Sequence, residues 1–401
     1  MKKYFMLLLT LFMILLTTTA FIYENNVQAP QIKQPSISID SQRFGLIKNI
    51  VWTNKYMNDK KSLIILSSKN TGQGVMSCLY HLNIDTGKSQ LLAEFPSHKN
   101  LNNVVLLDGP MSQHSIVAAY DKGIIKVNYP TTDQGTVTHE MTDITGFATA
   151  TSMDLKGNLV YTRENDKLLY VKNISTSNFT GFFTSNNIKD LTTYYTKPLY
   201  VSNFNSLDNI IAYTSINRNS VDLYAMVNGV PVNTLNKPVI RNVVTSRGIE
   251  DSFGFTGMNI INDTKKNKIL NLFMIRRTID KYNNDDYYSL DTIPYNTDPF
   301  GAVPAVDSTT YNSEFFLAYT SYDENHKGSL KICGLNQKPK VVVKNENIFG
   351  PISMTDLLPF NKMSYILYFT LENNNVKIKI CDSNGNLVKD ITDMVIKNNL
   401  T

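Results

Sequence analysis

The sequence predicts an all-β fold made of repeated small sheets, and the repetition is the strongest signal in the chain. A short apolar strand, a polar turn and a second strand carrying Leu, Ile or Tyr recur seven times in the 401 residues. The first strands of these units start near Leu63, Ile116, Leu159, Ile210, Ile269, Phe315 and Tyr365. Repeats of about 40 to 50 residues with several strands each are typical of β-propeller blades.

The apolar residues come in short runs and not with helical spacing. Runs such as Ile210 to Tyr213 and Phe315 to Tyr319 are bounded by turn residues, which indicates strands that are buried on both faces. We predict a single β-propeller of seven four-stranded blades over residues 44–396. Six or eight blades are the alternatives, because the fifth unit, Lys268 to Asp291, is irregular.

The predicted turns carry residues suited to reversing a strand. Asp154 to Leu159 and Asp382 to Leu387 share the pattern Asp-x-x-Gly-Asn-Leu, in which Asp caps the turn and Gly supplies a positive φ. Asp85-Thr86-Gly87 is a further hairpin signal. The segment from Asp323 to Gly328 is predicted as a polar turn.

The residues before the repeats predict export. Lys2 and Lys3 precede an apolar run, Tyr4 to Leu16, which ends in Thr17-Thr18-Thr19-Ala20, and this order is typical of a secretory signal. Phe21-Ile22-Tyr23 extend the run to about the length that spans a bilayer. We expect residues 1–23 to be a signal peptide or an uncleaved anchor, 24–43 a linker, and 397–401 a carboxy-terminal tail. Either form of the leader gives an extracellular body or one at the extracytoplasmic face of the cell membrane.

The three cysteines all fall in the strand that follows the polar turn of a unit: Cys78, Cys333 and Cys381. Equivalent strands of different units lie farther apart than the 4.4 to 6.8 Å between Cα atoms that a disulfide tolerates. We therefore predict three buried free thiols.

Several repeated motifs indicate a relationship at the level of fold. They are the Tyr-Thr-Ser strand at 213–215 and 319–321, the Leu-Tyr pairs Leu79-Tyr80, Leu169-Tyr170 and Leu223-Tyr224, and the turn from Asp85 to Lys88. In these features the chain resembles the bacterial exported β-propellers of the TolB or quinoprotein-like type. The resemblance implies a fold that hosts binders, scaffolds and several kinds of enzyme.

Charge and motifs narrow the possible functions. The formal net charge is +5, and two of the positive charges lie in the leader, so the body does not have the basic surface expected for nucleic-acid binding. The sequence contains no Gly-x-Ser-x-Gly, His-Glu-x-x-His or Cys-x-x-Cys motif. It therefore predicts no catalytic or cofactor-binding residues.

One segment departs from the repeat pattern by its density of carboxylates. Between residues 280 and 298 five aspartates alternate with tyrosines. Dense oxygen ligands suit Ca²⁺, so Asp280, Asp285, Asp286 and Asp291 are candidate calcium ligands. The alternative is a long acidic connection around an ordinary strand, and the spacing does not match an EF-hand.

These observations predict a binding or interaction module at the cell envelope, with a protein, peptide or glycan partner at one face of the propeller. The membrane would take part only through an uncleaved leader. One alternative is a carbohydrate-active hydrolase or lyase that uses carboxylates at the mouth of the propeller. A second alternative is a membrane-tethered sensory accessory subunit.

Overall fold

The computed structural model describes residues 37–52, 62–96, the strands β6 to β19 as bounded below, 264–265, 268–278, 285–294, 305–311, 314–323, 325, 327–334, 337–344, 346–355 and 363–397. The strands among these residues form seven separate sheets. Each sheet is built from strands that are consecutive in the chain and antiparallel to their neighbours. The all-β prediction is confirmed, and the described residues add only one short helix, α1 (Thr392–Ile396).

The first three sheets come from the amino-terminal half of the body. The first contains β1 (Ile39–Ser41), β2 (Gly45–Trp52), β3 (Ser62–Thr71), β4 (Gly74–Asn83) and β5 (Ser89–Pro96). The second contains β6 (Val104–Asp108), β7 (His114–Tyr120), β8 (Gly123–Tyr129) and β9 (Thr138–Asp143). The third contains β10 (Ala148–Met153), β11 (Asn158–Arg163), β12 (Leu169–Asn173) and β13 (Gly181–Phe183).

The remaining four sheets have four strands each. The fourth contains β14 (Leu199–Ser202), β15 (Asn209–Asn217), β16 (Ser220–Val227) and β17 (Val230–Asn233). The fifth contains β18 (Arg241–Ile249), β19 (Ser252–Asn262), β20 (Lys268–Thr278) and β21 (Asp285–Pro294). The sixth contains β22 (Val306–Tyr311), β23 (Glu314–Tyr322), β24 (Gly328–Gly334) and β25 (Lys340–Val343), and the seventh contains β26 (Asn347–Met354), β27 (Tyr365–Glu372), β28 (Asn375–Asp382) and β29 (Leu387–Asp390).

The fifth sheet explains why the fifth sequence unit is irregular. In the six other units the residue at which we predicted the first strand to start lies on the second strand of its sheet, if the first sheet is counted from β2. Examples are Phe315 on β23 and Tyr365 on β27. Ile269 instead lies on β20, one strand later. The equivalent strand, β19, contains Gly254 and Gly257, and these glycines interrupt the apolar run by which the other units are recognised.

Strand β27 of the seventh sheet is buried on both faces, as its apolar run predicted. On β27, Tyr365, Leu367 and Phe369 belong to one core cluster together with residues of the first sheet. Ile366 and Tyr368, between them in the sequence, belong to a second cluster with residues of the sixth sheet. Successive side chains of a strand point to opposite faces, so one continuous apolar run fills two interfaces.

Contacts between sheets involve mainly the first strand of each sheet, or β2 in the case of the first sheet. They follow the order β6, β10, β14, β18, β22, β26 and then β2. The seventh sheet therefore contacts the first sheet, although the two are far apart in the sequence. Trp52 makes part of this contact: its backbone N–H donates to Ser353 Oγ at 3.2 Å, and its indole Nε1–H donates to the Ser353 carbonyl at 3.1 Å.

The helix α1 contacts the residues just before β2 at the same interface. The Ser41 hydroxyl donates to the carbonyl of Val395, and the backbone N–H of Gln42 donates to the carbonyl of Ile396 at 3.0 Å. Val395 is fully buried in the core that the first and seventh sheets share. Among the described strands, none passes from one of these two sheets to the other, so side-chain packing and these hydrogen bonds connect them.

The structure differs from the predicted linker over 24–43 at its carboxy-terminal end. Ile37 and Ile39 are buried, and β1 pairs with β2. Their alternation with Ser38 and Asp40 gives one apolar face. The prolines upstream had favoured the prediction of a linker. Residues 1–36, including the predicted leader, lie outside the described residues. Among the helices that are described, none has the length and apolar character needed to cross a bilayer.

The turn from Asp382 to Leu387 has the predicted chemistry. Asp382 Oδ1 accepts the N–H groups of Asn384 and Asn386, both at 2.9 Å, and Gly385 has a φ of +92°. Burial raises the pKa of Asp382, but these hydrogen bonds outweigh it and hold the pKa below its usual value. In the turn before β5 the capping side chain is Asn83, whose Oδ1 accepts the N–H groups of Asp85 and Thr86. The matching turn at Asp154 lies outside the described residues.

Replacing Ser353 by Ala is expected to weaken the contact between the first and seventh sheets. The buried N–H of Trp52 would lose its acceptor, which costs about 1–3 kcal/mol. Trp52 is the only tryptophan of the chain, so urea unfolding followed by its fluorescence measures the free energy of unfolding at this interface. Ser67→Ala is the matched control: the Ser67 hydroxyl is also buried, and it has no hydrogen-bond partner among the described residues. An equal loss of stability in both variants would contradict the assignment.

Replacing Gly385 by Ala is expected to destabilise the protein by more than the about 1–2 kcal/mol that a left-handed backbone costs an L-residue. Besides its positive φ, a Cβ at this position would lie 2.3 Å from the carbonyl oxygen of Val342 in the sixth sheet. Gly74→Ala separates the two effects, because Gly74 has a φ of +115° but no atom within 4 Å of the added Cβ. In thermal unfolding, Gly385→Ala should have a lower melting temperature than Gly74→Ala. The reverse order would show that the contact with Val342 is unimportant.

Candidate functional site

A cavity of about 370 Å³ opens at one end of the sixth sheet. Pro294 at the end of β21 and Val341 on β25 form apolar parts of its wall. Its polar lining comes from strand ends and from the β23–β24 turn: Ser321, Asp323, Lys327, Ser329, Lys331 and Lys344. Hydroxyl and ammonium groups therefore dominate the polar chemistry of the cavity.

The β23–β24 turn forms one rim of the cavity, at the place where the sequence predicted a polar turn. Asp323 Oδ1 accepts the N–H groups of Asn325 at 2.9 Å and Lys327 at 2.8 Å. The N–H of Asp323 donates to the Lys327 carbonyl at 3.0 Å. These bonds fix the backbone of Lys327 beside Asp323, so the Asp323 carboxylate has a structural task in the turn.

Gly328 holds this rim against the seventh sheet. It is buried, and a Cβ added to it would lie 2.8 Å from the backbone N and O of Ile348 on β26. Only a residue without a side chain allows so close an approach of two backbones. The rim of the cavity thus lies at a close backbone contact between the sixth and seventh sheets.

Lys331 is held in the cavity wall by an ion pair with the fifth sheet. Its Nζ donates to Asp291 Oδ2 at 2.8 Å, and the hydroxyl of Tyr319 donates to the same oxygen. Burial raises the pKa of Tyr319 well above its usual value, and the Asp291 carboxylate raises it further. Tyr319 therefore remains a neutral hydrogen-bond donor, and the three residues connect β21 to the sixth sheet.

The seventh sheet contains a similar arrangement. Tyr368 lies opposite Lys379 in the strand register, as Tyr319 lies opposite Lys331. The Lys379 ammonium contacts Glu346 Oε2 at 3.3 Å and Glu372 Oε1 at 2.5 Å. Burial lowers the pKa of Lys379, but the hydrogen bonds to the two glutamates outweigh it and raise the pKa. Glu346 comes from the connection between the sixth and seventh sheets, so a carboxylate again joins a Tyr–Lys pair from outside its sheet.

The repeated strand motif has an explanation in its second copy, 318–321. Thr320 bonds to Ala305 through both groups: its N–H donates to the Ala305 carbonyl, and its Oγ1 accepts the Ala305 N–H at 2.7 Å. Ser321 and Ser329 share a hydrogen bond of 2.8 Å between their hydroxyl groups. The side chains of the first copy, 212–215, lie outside the described residues. The motif thus connects β23 to the residue before β22 and to β24, and it contributes a hydroxyl group to the cavity.

The predicted calcium ligands fall in or beside β21. Asp285 and Asp286 lie on this strand opposite Arg277 and Arg276 of β20, and Asp280 lies outside the described residues. The Asp291 carboxylate instead accepts a hydrogen bond from Tyr319 and forms an ion pair with Lys331. Among the residues described, no group of three or more His, Cys, Asp or Glu could hold a metal ion. Calcium binding that includes Asp280 stays a prediction.

The prediction of three buried free thiols is confirmed. Cys78 lies on β4, Cys333 on β24 and Cys381 on β28, which are equivalent strands of their sheets. Burial is the main cause that raises the pKa of all three thiols, to about 12 for Cys333 and Cys381. A thiol is nucleophilic as the thiolate, so these cysteines belong to the core.

Comparison with known proteins supports the fold. No model of a known protein family matches the chain, and no curated protein sequence does. The chain is similar to the β-propeller domain of the Trilobed protease from Pyrococcus furiosus, with a TM-score of 0.54 and 9% identity over 89% of this chain and 99% of that chain. Puromycin hydrolase gives a TM-score of 0.54 at 8% identity, and a Mycobacterium tuberculosis puromycin-hydrolyzing peptidase gives 0.51 at 9%.

These two similarities cover 93% and 92% of this chain but 58% of each of the longer proteins. At such low identity the similarities show the fold alone. Together with the seven antiparallel sheets they show that the chain has a β-propeller fold. They contain nothing specific to the TolB or quinoprotein-like type, so that part of the sequence resemblance stays a prediction.

The native protein is expected to resist thiol reagents at pH 8. Cys333 and Cys381 have a pKa of about 12 when folded, against an ordinary value of 9.0. Titration with 5,5′-dithiobis(2-nitrobenzoic acid) should give no fast reaction in buffer and three thiols per chain in denaturant. Rapid reaction of the native protein would show that the core around these strands opens.

The same pKa values predict that the protein becomes less stable at high pH. The unfolded thiols lose protons first as the pH rises above about 9, which stabilises the unfolded state, so the free energy of unfolding should fall between about pH 9 and pH 12. Cys381→Ala should lessen the slope of this fall, whatever its effect at neutral pH.

Proposed function

We propose that this chain is an exported, seven-bladed β-propeller that works as a binding module for a protein, peptide or glycan at the cell envelope. Seven sheets and the order of contacts from β6 to β26 and on to β2 support seven blades. Residues 1–23 support export, by the order of charge, apolar run and small residues. The binding role fits a fold whose blades present loops on two faces.

The observation that carries the binding role is the cavity of the sixth sheet. Its volume of about 370 Å³ lies in the range of sites for small ligands or for single side chains and sugar units of larger partners. Several hydrogen-bond donors converge on it from β23, from β24, from the turn between them and from the residue after β25. The close approach of Gly328 to β26 and the Asp291–Lys331 ion pair fix parts of its wall. A polar cavity whose wall is held by such contacts reduces the conformational entropy that the protein loses on binding.

A second candidate function is carbohydrate cleavage, and one observation favours it. Glu346 and Glu372 both contact the ammonium nitrogen of Lys379, so two carboxylates from different elements lie near each other. Glycoside cleavage uses such a pair, one residue as acid and the other as nucleophile or base. A third alternative, the membrane-tethered sensory subunit, requires residues 1–23 to persist, which the mass of the mature amino terminus decides.

The proposal predicts saturable binding without turnover when the purified protein is screened on glycan and peptide arrays. A partner found there should bind in solution and be recovered unchanged by mass spectrometry. Glu346→Gln is the variant that separates the two candidates, because it leaves binding at the sixth-sheet cavity intact but abolishes cleavage if Glu346 is catalytic. Cleavage of the partner by the native protein, lost in this variant, would overturn the binding proposal in favour of the enzyme.

A further inference from the structure

The lining of the cavity contains more lysine ammonium groups than carboxylates. Lys327 and Lys344 are exposed at its rim, and no carboxylate contacts their ammonium groups among the described residues. Lys331 has one partner, Asp291 in the fifth sheet. The one carboxylate in the lining is Asp323, and its Oδ1 accepts two N–H groups of the turn. Three lysines therefore face two carboxylates, Asp323 in the lining and Asp291 beside it, so the described cavity keeps a net positive charge.

The hydroxyl groups add a donor to these cations. Ser321 and Ser329 share one hydrogen bond, in which either hydroxyl can donate. Two hydroxyl groups carry two hydrogens, and the shared bond uses one of them, so the other can point to a ligand. Ammonium and hydroxyl donors around one concave space are the groups that bind phosphate and carboxylate oxygens.

We infer that this cavity binds a compact oxyanion with at least two negative charges, carried by phosphate or carboxylate groups of the partner. This inference rests on the proposed binding function and names the chemistry that the cavity recognises. A cleft lined by one sign of charge concentrates ions of the opposite sign. Pro294 and Val341 leave apolar wall for the organic part that carries the anion. The formal charge of the whole chain, only +5, does not reveal this local excess.

The test is calorimetric titration of the purified protein with two probes, inorganic pyrophosphate and digalacturonate, and with maltose as the uncharged reference. We expect one or both anions to bind saturably, to bind more weakly as sodium chloride is raised, and maltose not to bind. Binding of pyrophosphate alone points to a phosphate ligand, and binding of digalacturonate alone points to an acidic sugar or peptide. Failure of both anions overturns the inference.

A pair of charge reversals locates the binding. Lys344→Glu should weaken anion binding by about tenfold or more, since it replaces attraction by repulsion in the cavity. Lys338→Glu is the matched control, because Lys338 is exposed in the same sheet, between β24 and β25, and does not line the cavity. An equal loss in both variants overturns the inference. Unchanged Trp52 fluorescence checks that each variant is folded.

The same variants separate this inference from the proposed function. If a partner found on the arrays binds Lys344→Glu as tightly as the native protein, the protein is a binding module but the anion cavity is not its site. If the partner is cleaved, the proposed function itself fails. Loss of partner binding in Lys344→Glu, with binding retained in Lys338→Glu, supports both.

Discussion

The described structure depends on the packing of each sheet against its neighbours. An isolated four-stranded sheet of this size has two apolar faces and cannot cover either one by itself. In the seventh sheet, Leu367 and Phe369 pack toward the first sheet, while Ile366 and Tyr368 pack toward the sixth. The free energy of burial, about 25 cal/mol for each Å² of apolar surface, is thus gained only when neighbouring sheets are in place. Such a body can exceed the size of an ordinary single core because each sheet contacts only its neighbours.

The contact between the first and last sheets is the place where this arrangement is most exposed to failure. Elsewhere consecutive sheets are joined by the chain, but these two are joined by side chains and by a five-residue helix. Trp52 fills the interface and forms two hydrogen bonds with Ser353, and α1 fastens the residues just before β2. The early strand β1 belongs to this fastening, which is why Ile37 and Ile39 are buried in the segment predicted as a linker.

Polar groups between the sheets prepare the functional surface. Asp291 leaves the fifth sheet to bind Tyr319 and Lys331 of the sixth, and Glu346 binds Lys379 of the seventh. Such partly buried pairs set positions more than they add stability. In the sixth sheet the pair also forms the wall of a cavity whose other cations are unpaired among the residues described. The same interaction that aligns two sheets therefore fixes a lysine where a ligand can reach it.

The sequence by itself determined the all-β class, the periodic sheets, the buried state of Cys78, Cys333 and Cys381, and the turn chemistry of Asp382 and Gly385. These features depend on the order of residues within one unit, and short-range order is visible in a sequence. Only the tertiary structure decided that Asp291 forms an ion pair with Lys331. It also decided that Lys327, Lys331 and Lys344 line one cavity. The register of β23 against β24 and the packing of neighbouring sheets bring these groups together, and no local pattern encodes a distance between different sheets.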